Sequence, residues 1–133
     1  KYTDCILKPN EVECWRAVYN NEGYIDAGYD EFIEAAKLLA KKNRSTVFCT
    51  LGKRGSIVTD GDRTEKADAV LFDGEVDICG AGDTSLSAFS AAIAAKTELK
   101  AAAQFAGLAS GVTVRKIGVT GTASPEEIEA LAQ

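Results

Sequence analysis

The chain is 133 residues long, 46% hydrophobic and 26% charged, proportions that suit one globular domain. Its net charge of −5 has the wrong sign for nucleic acid, and no apolar run approaches the ~18 residues of a membrane span. With no His there is no Ser–His or Cys–His nucleophile, and four cysteines without C-x-x-C spacing argue against zinc, so a general base has to be Asp, Glu or Lys.

In chain order, DCILKPN (residues 4–10) reads as a short strand ended by Pro9. EVECWRAVYN (residues 11–20) carries Val12, Trp15, Val18 and Tyr19 at helical spacing. Ahead of it, Asn10 and Glu13 have the relation of a capping box. NEGYIDAGY (residues 21–29) is a loop with two glycines. YDEFIEAAKLLAKKN, Tyr29–Asn43, is a stronger amphipathic helix. Phe32, Ile33, Ala36, Leu39 and Ala40 share one face, and Lys41 and Lys42 suit the negative end of the dipole.

STVFCTLG (residues 45–52) is β-branched and nearly all apolar, as a strand buried on both faces would be. SIVTDGD (residues 56–62) follows a short Gly-bounded turn as its neighbour. RTEKADAVLFDGEV (residues 63–76) reads as short strands and loop. Two Ala-rich helices, residues 82–96 and 98–116, have side chains small enough to pack closely. SPEEIEALA (residues 124–132) is a final helix, with Ser124 as N-cap, Pro125 at the first helical position and Glu127 completing a capping box.

This order of elements predicts an α/β domain with a mainly parallel sheet. A sheet so small beside so many helices, in a chain without Met that opens on Lys1, reads as a piece of a longer protein. Cys5, Cys14, Cys49 and Cys79 read as structural thiols of a cytoplasmic protein. Asp60, Asp62, Asp68 and Asp73 read as solvated acids.

The stretch DICGAGDTSLSAF (residues 77–89) carries the chemistry. A helix starting near Gly82 leaves the N–H groups of Ala81, Gly82 and Asp83 among its unpaired donors. Glycine lets an oxygen approach the backbone, and the helix dipole adds partial positive charge. Such a turn can hold a phosphoryl group during transfer. Asp83 stands beside that anion as a base for an attacking hydroxyl, and Thr84 caps the helix or touches phosphate. The same residues equally make a plain helix start. G-x-G-x-x-G of dinucleotide-binding domains is a third reading, with Ser85 in place of its last glycine, whereas nothing matches a P-loop.

DICGAGDTSLSAF resembles the C-terminal signature of the ribokinase-like, phosphofructokinase-B type carbohydrate kinases. That signature is Asp-Thr-Thr-Gly-Ala-Gly-Asp-Thr followed by a small-residue helix. Gly80, Ala81, Gly82 and Asp83 match it. Asp77, Ile78 and Cys79 stand where the family often has Asp-Thr-Thr, which removes two hydroxyls. KPNEVE is similar to the family's Asn-x-x-Glu motif, carried by Asn10 and Glu13. TLGKRGSIV is similar to the strand and turn that pass the nucleotide phosphates. Residues 109–131 are similar to the end of heptose-phosphate kinases within the family.

The resemblance implies the C-terminal part of a ribokinase-like three-layer αβα fold, its nucleotide-binding and catalytic half. It implies ATP-dependent phosphorylation of a sugar or sugar-phosphate hydroxyl, with Asp83 as base and Gly80, Ala81 and Gly82 cradling the transferred group. Thr50, Gly52, Lys53 and Thr84 fall on the nucleotide side, although Lys53 and Arg54 equally suit a solvated hairpin tip. Asn10 and Glu13 would organise Mg²⁺ through water. Backbone carbonyls in residues 116–121 and near Asp77 would hold a monovalent cation such as K⁺. The partners expected are a nucleotide and a small sugar, without nucleic acid or membrane, and a second copy in a full-length homodimer. The sugar-binding half and lid would lie upstream, so the piece alone is not expected to turn over. A non-catalytic nucleotide-binding or regulatory relative would bind ATP without transfer. A dinucleotide-binding oxidoreductase domain would be stabilised by NAD and not by ATP.

Overall fold

The structure is a computed structural model that describes residues 5–20 and 27–133. The start of the first expected strand and most of the loop expected over residues 21–29 lie outside the described residues. The chain forms two compact units, Lys1–Lys66 and Ala67–Gln133.

In the first unit, α1 (Glu11–Tyr19) and α2 (Tyr29–Asn43) form where the apolar spacing places them. Phe32, Ala35, Ala36, Leu39 and Ala40 are the buried stripe of α2, at intervals of three and four residues. Ile33, expected on that face, lies at its margin and is half-buried. Trp15 of α1 meets Phe32 edge-on at 5.4 Å and Tyr19 at 4.5 Å between ring centroids. Cys14 and Cys49 are both fully buried in this core as free thiols. At its end α2 turns out through Arg44 in the left-handed conformation, φ 51°, and Lys42 Nζ reaches the Ala17 carbonyl of α1 at 3.2 Å.

The sheet has the order β1 (Val47–Thr50), β2 (Ser56–Thr59), β3 (Thr64–Ala67). β1 and β2 are antiparallel, from Val47 opposite Thr59 to Thr50 opposite Ser56. This corrects the expectation of a mainly parallel sheet. The connection between β1 and β2 is a 3₁₀ turn over Gly52–Arg54, far shorter than the dozen or so residues a parallel crossover needs. Parallel pairing occurs beside β1, where residues 7–10 make two bridges, Leu7 with Val47 and Asn10 with Thr50. Its bonds run from Leu7 N–H to Thr46 O, Phe48 N–H to Leu7 O and Thr50 N–H to Pro9 O, at 2.9, 2.8 and 3.1 Å. The expected first strand is thus present as bridges. Residues 7–10 and β1 bring Asn10 and Thr50 to one end of that pairing, the carboxyl end, where ligands of α/β sheets bind.

In the second unit, α3 (Ala81–Ala94) packs on α4 (Leu99–Val114). Ala102, Ala103, Ala106, Ala109 and Thr113 form the buried stripe of α4, and Phe89 of α3 is fully buried, worth about 1.5–3 kcal/mol. Gly111 of α4 is buried where a Cβ would lie 3.3 Å from Leu131 and Val70 and 3.4 Å from Phe72. Residues 68–80 form no regular element and cover α4 there. α5 (Pro125–Ala132) starts with the expected capping box, Glu127 N–H to Ser124 Oγ and Ser124 N–H to Glu127 Oε2. Lys116 pairs with Glu127 at 2.8 Å, and this contact holds the Glu127 carboxyl below its ordinary range, with the Ser124 N–H adding to it. Among the described residues no helix is long and apolar enough to cross a membrane.

Candidate active site

α3 opens on Gly80, which has φ 78° in the left-handed region. A Cβ there would stand 3.1 Å from Thr120 Cγ2, so both the conformation and the space call for glycine. Gly80 has no side chain to cap the helix. The Ala81 N–H bonds to Ile78 O at 3.1 Å and the Thr84 N–H to Gly80 O at 2.9 Å. Ala81 was expected to offer its amide to an anion, but the turn that swings the chain into α3 takes that donor up. The N–H groups of Gly82 and Asp83 have no intramolecular acceptor among the described residues. Both residues are exposed in the first turn, where the helix dipole is most positive. The Asp83 side chain makes no hydrogen bond or ion pair among the described residues. It is a solvent-facing carboxylate beside two free donors.

The Thr84 hydroxyl is turned the other way. It accepts from Thr113 Oγ1 of α4 at 3.1 Å, and Ser110 Oγ of α4 lies 3.4 Å from Ala81 O. These contacts fix the first turn of α3 on α4. Ser85, at the place of the third fingerprint glycine, is buried.

Asp77 stands three residues before Gly80. Its Oδ1 accepts the Cys79 N–H at 2.9 Å and its Oδ2 the Gly118 N–H at 3.0 Å. These two donors, Cys79 first, hold its carboxyl below the ordinary range. Its own N–H bonds to Val114 O at 2.8 Å. Both oxygens of the Asp77 carboxylate are therefore met by amides. The carbonyls of Ile78, Gly80 and Val114 likewise already accept N–H groups. Beside it the Ile78 side chain is 78% exposed, and Cys79 Sγ lies 3.9 Å from Thr120 Oγ1.

In the first unit, Asn10 and Glu13 close a full capping box. Glu13 N–H bonds Asn10 Oδ1 at 2.8 Å and Asn10 N–H bonds Glu13 Oε2 at 2.9 Å. The box brings an amide oxygen and a carboxylate together at an exposed helix start. Mg²⁺ takes oxygen ligands, keeps several waters and needs only one or two carboxylates beside phosphate, so this donor set fits it. Among the described residues no group of three or more His, Cys, Asp or Glu gathers as a self-sufficient metal site. Thr50 lies between Asn10 and Ser56 in the pairing, and Gly52 follows with φ 56° and open space around it. The two cations of the turn differ. Arg54 is paired with Glu11 and stacked 4.7 Å from the Phe32 ring centroid, while exposed Lys53 has no ion pair among the described residues.

Sequence reading alone missed Thr113, Thr120 and Gly118 as supports of the α3 turn. Only Gly118 left a trace, as a glycine in a loop, and it does adopt φ 72°. Its partner Asp77 is 41 residues away.

The chain matches the family described as pfkB family carbohydrate kinase over residues 5–127. It is 35% identical over 127 residues to Bifunctional protein HldE of a Nitratiruptor species, a match that covers 93% of this chain and 26% of that protein. It is similar in structure to Arabidopsis thaliana ribokinase complexed with ribose and ATP, with TM-score 0.81 and 24% identity over 96% of this chain and 40% of that one. Escherichia coli phosphofructokinase-2 in complex with potassium gives TM-score 0.81 at 20% identity, over 98% of this chain and 42% of that one. These two likenesses show a ribokinase-like fold. The chain spans about a quarter of the length of the curated relatives it matches. The matched residues run from before the Asn10 box, through the α3 turn, to the start of α5, and the chain belongs to the pfkB family of carbohydrate kinases.

Proposed function

We propose that the full-length protein transfers the γ-phosphoryl group of ATP to a hydroxyl of a sugar or sugar phosphate, and that this chain is its nucleotide-binding and catalytic part. The observation that carries the reading is the start of α3. Asp83 is exposed there without a partner among the described residues, next to the unpartnered N–H groups of Gly82 and Asp83. Asp83 takes the proton of the acceptor hydroxyl. The hydroxyl oxygen forms a bond to the γ-phosphorus as the bond from that phosphorus to the β-phosphate bridging oxygen breaks, releasing ADP. The two amides hold oxygens of the migrating group, and Gly80 sets their direction. Positioning and charge stabilisation of this kind supply most of the rate in phosphoryl transfer.

Thr50, Gly52 and Lys53 border the nucleotide in this reading, and Thr84 acts by holding α3 to α4. Asn10 and Glu13 would hold Mg²⁺ through water, and the ion, when bound, neutralises charge on the phosphates. The similarity of residues 109–131 to heptose-phosphate kinases favours a heptose phosphate as acceptor. The reading places the protein in the cytoplasm as a homodimer, and expects the chain to be inactive without the rest of the protein.

The test is Asp83→Asn in the full-length protein, assayed over a panel of sugars and sugar phosphates with ATP. Removing a general base costs about 10²–10⁴-fold in turnover. Activity retained within about tenfold would remove Asp83 from the base role. A second reading, a nucleotide-binding relative without transfer, draws on Ile78 and Cys79 standing in place of hydroxyls. ATP binding with no transfer to any acceptor would select it.

A further inference from the structure

The loop of residues 116–121 touches the turn before α3 at three points. Gly118 N–H bonds Asp77 Oδ2, Thr120 Oγ1 lies 3.9 Å from Cys79 Sγ, and Thr120 Cγ2 stands against the bare Cα face of Gly80. Only the first is a strong, directed bond, and its acceptor is charged. The other oxygen of the same carboxylate holds Cys79 N–H within the turn, and the Asp77 N–H holds the last residue of α4. One residue thus joins the end of α4, the turn into α3 and a loop 41 residues away. Downstream of Cys79 the chain closes on itself through Ala81 N–H to Ile78 O and Thr84 N–H to Gly80 O, and these bonds aim the unpartnered amides of Gly82 and Asp83.

We propose that Asp77 is a positioning residue, an amide-to-amide staple that uses the Gly118 N–H to fix the turn from which the Gly82 and Asp83 N–H groups project. This role is distinct from cation ligation and rests on the kinase reading only for its kinetic consequence. Asn in its place has one acceptor oxygen and an NH₂ that would face an N–H, so one of the two bonds is lost. Ser in its place can still make the short turn to Cys79 N–H but cannot span to Gly118.

The test uses the full-length protein and two readouts. Residue-resolved amide hydrogen exchange on the unsubstituted protein should show Cys79 and Gly118 exchanging more slowly than Val119, while Gly82 and Asp83 exchange as open amides. In Asp77→Ser the Gly118 protection should vanish and that of Ala81 and Thr84 should fall, with Cys79 retained. Kinetically, Asp77→Ser and Asp77→Asn should lower kcat about 10–100-fold, the scale of a displaced reacting geometry, with KM for ATP unchanged. A purely structural role would instead lower the folded fraction and leave kcat per folded molecule intact. An unprotected Gly118 in the unsubstituted protein overturns the staple, and that measurement stands even if both variants fail to fold. Protection of Ala81 and Thr84 unaltered by Asp77→Ser also overturns it. Asp83→Asn run in parallel separates the two claims. If it abolishes transfer while the Asp77 variants keep kcat, the positioning role alone falls. If it leaves transfer intact, the base role of Asp83 falls and the exchange data still decide the staple.

Discussion

The helix starts at α1 and α3 are built from the same kinds of atoms and finished in opposite ways. At α1, Asn10 and Glu13 exchange hydrogen bonds at 2.8 and 2.9 Å, and a polar side chain answers the backbone donor of Glu13. At α3, Gly80 brings no side chain, and the amides of Gly82 and Asp83 are left without an acceptor among the described residues. An open helix start forgoes the roughly 0.5–2 kcal/mol that a cap contributes. It keeps two aligned donors and a local positive potential in return. The contrast separates a helix end closed by its own side chains from one whose first-turn donors stay open. Asp83 marks the same difference: a carboxylate at the third helical position that does not reach back to the N-cap, as Glu13 and Glu127 do at theirs.

Changes at the two starts should therefore fail in different ways. The largest effect is expected at α3, where Asp83→Asn lowers turnover about 10²–10⁴-fold with little change in melting temperature. Gly80→Ala comes next. It forces a Cβ into the left-handed region, costing about 1–2 kcal/mol, and against Thr120, so both the melting temperature and the transfer rate should drop. A Gly80→Ala protein of unchanged stability would mean that the φ of 78° is not held. At α1, Asn10→Ala should cost about 1 kcal/mol in denaturant unfolding, and Asn10→Asp should restore most of it. If Asn10→Asp restores stability but not activity, the box serves more than the cap. Ser124→Ala at α5 should also cost about 1 kcal/mol and leave transfer untouched.

The smallest effect is one of pH. Glu127, held below the ordinary Glu value of 4.5 mainly by Lys116, contributes stability that is complete above that value and lost as pH falls through its lower folded value. Thermal melts of Glu127→Gln, which keeps the capping box, should show a shallower acid limb than the parent. An identical limb would count against the Lys116 contact.

What could be read from the sequence was local. The bounds of α2 and the boxes at Asn10–Glu13 and Ser124–Glu127 came from periodicity and from residues three apart, where the signal and the structure share one helical turn. The direction of strand pairing did not come through. Apolar β-branched runs look alike in parallel and antiparallel sheets, and the brevity of the turn at Gly52–Arg54 was the feature that decides. At the site, the open amides of Gly82 and Asp83 followed from the helix start itself. The loss of Ala81's amide depended on the φ of Gly80, and the Asp77–Gly118 and Thr84–Thr113 bonds join residues 41 and 29 positions apart. No spacing rule reaches such pairs.

The neighbouring cations Lys53 and Arg54 carry one more lesson. Arg54 spends its charge on Glu11 and its flat face on Phe32, working as a fastener between the hairpin and two helices. A tally of positive residues would credit this tip with two units for attracting a polyanion, yet only Lys53 is at liberty to move toward one. Neutralising Lys53 would dim the electrostatic pull of the tip, whereas neutralising Arg54 would loosen the scaffold beneath it.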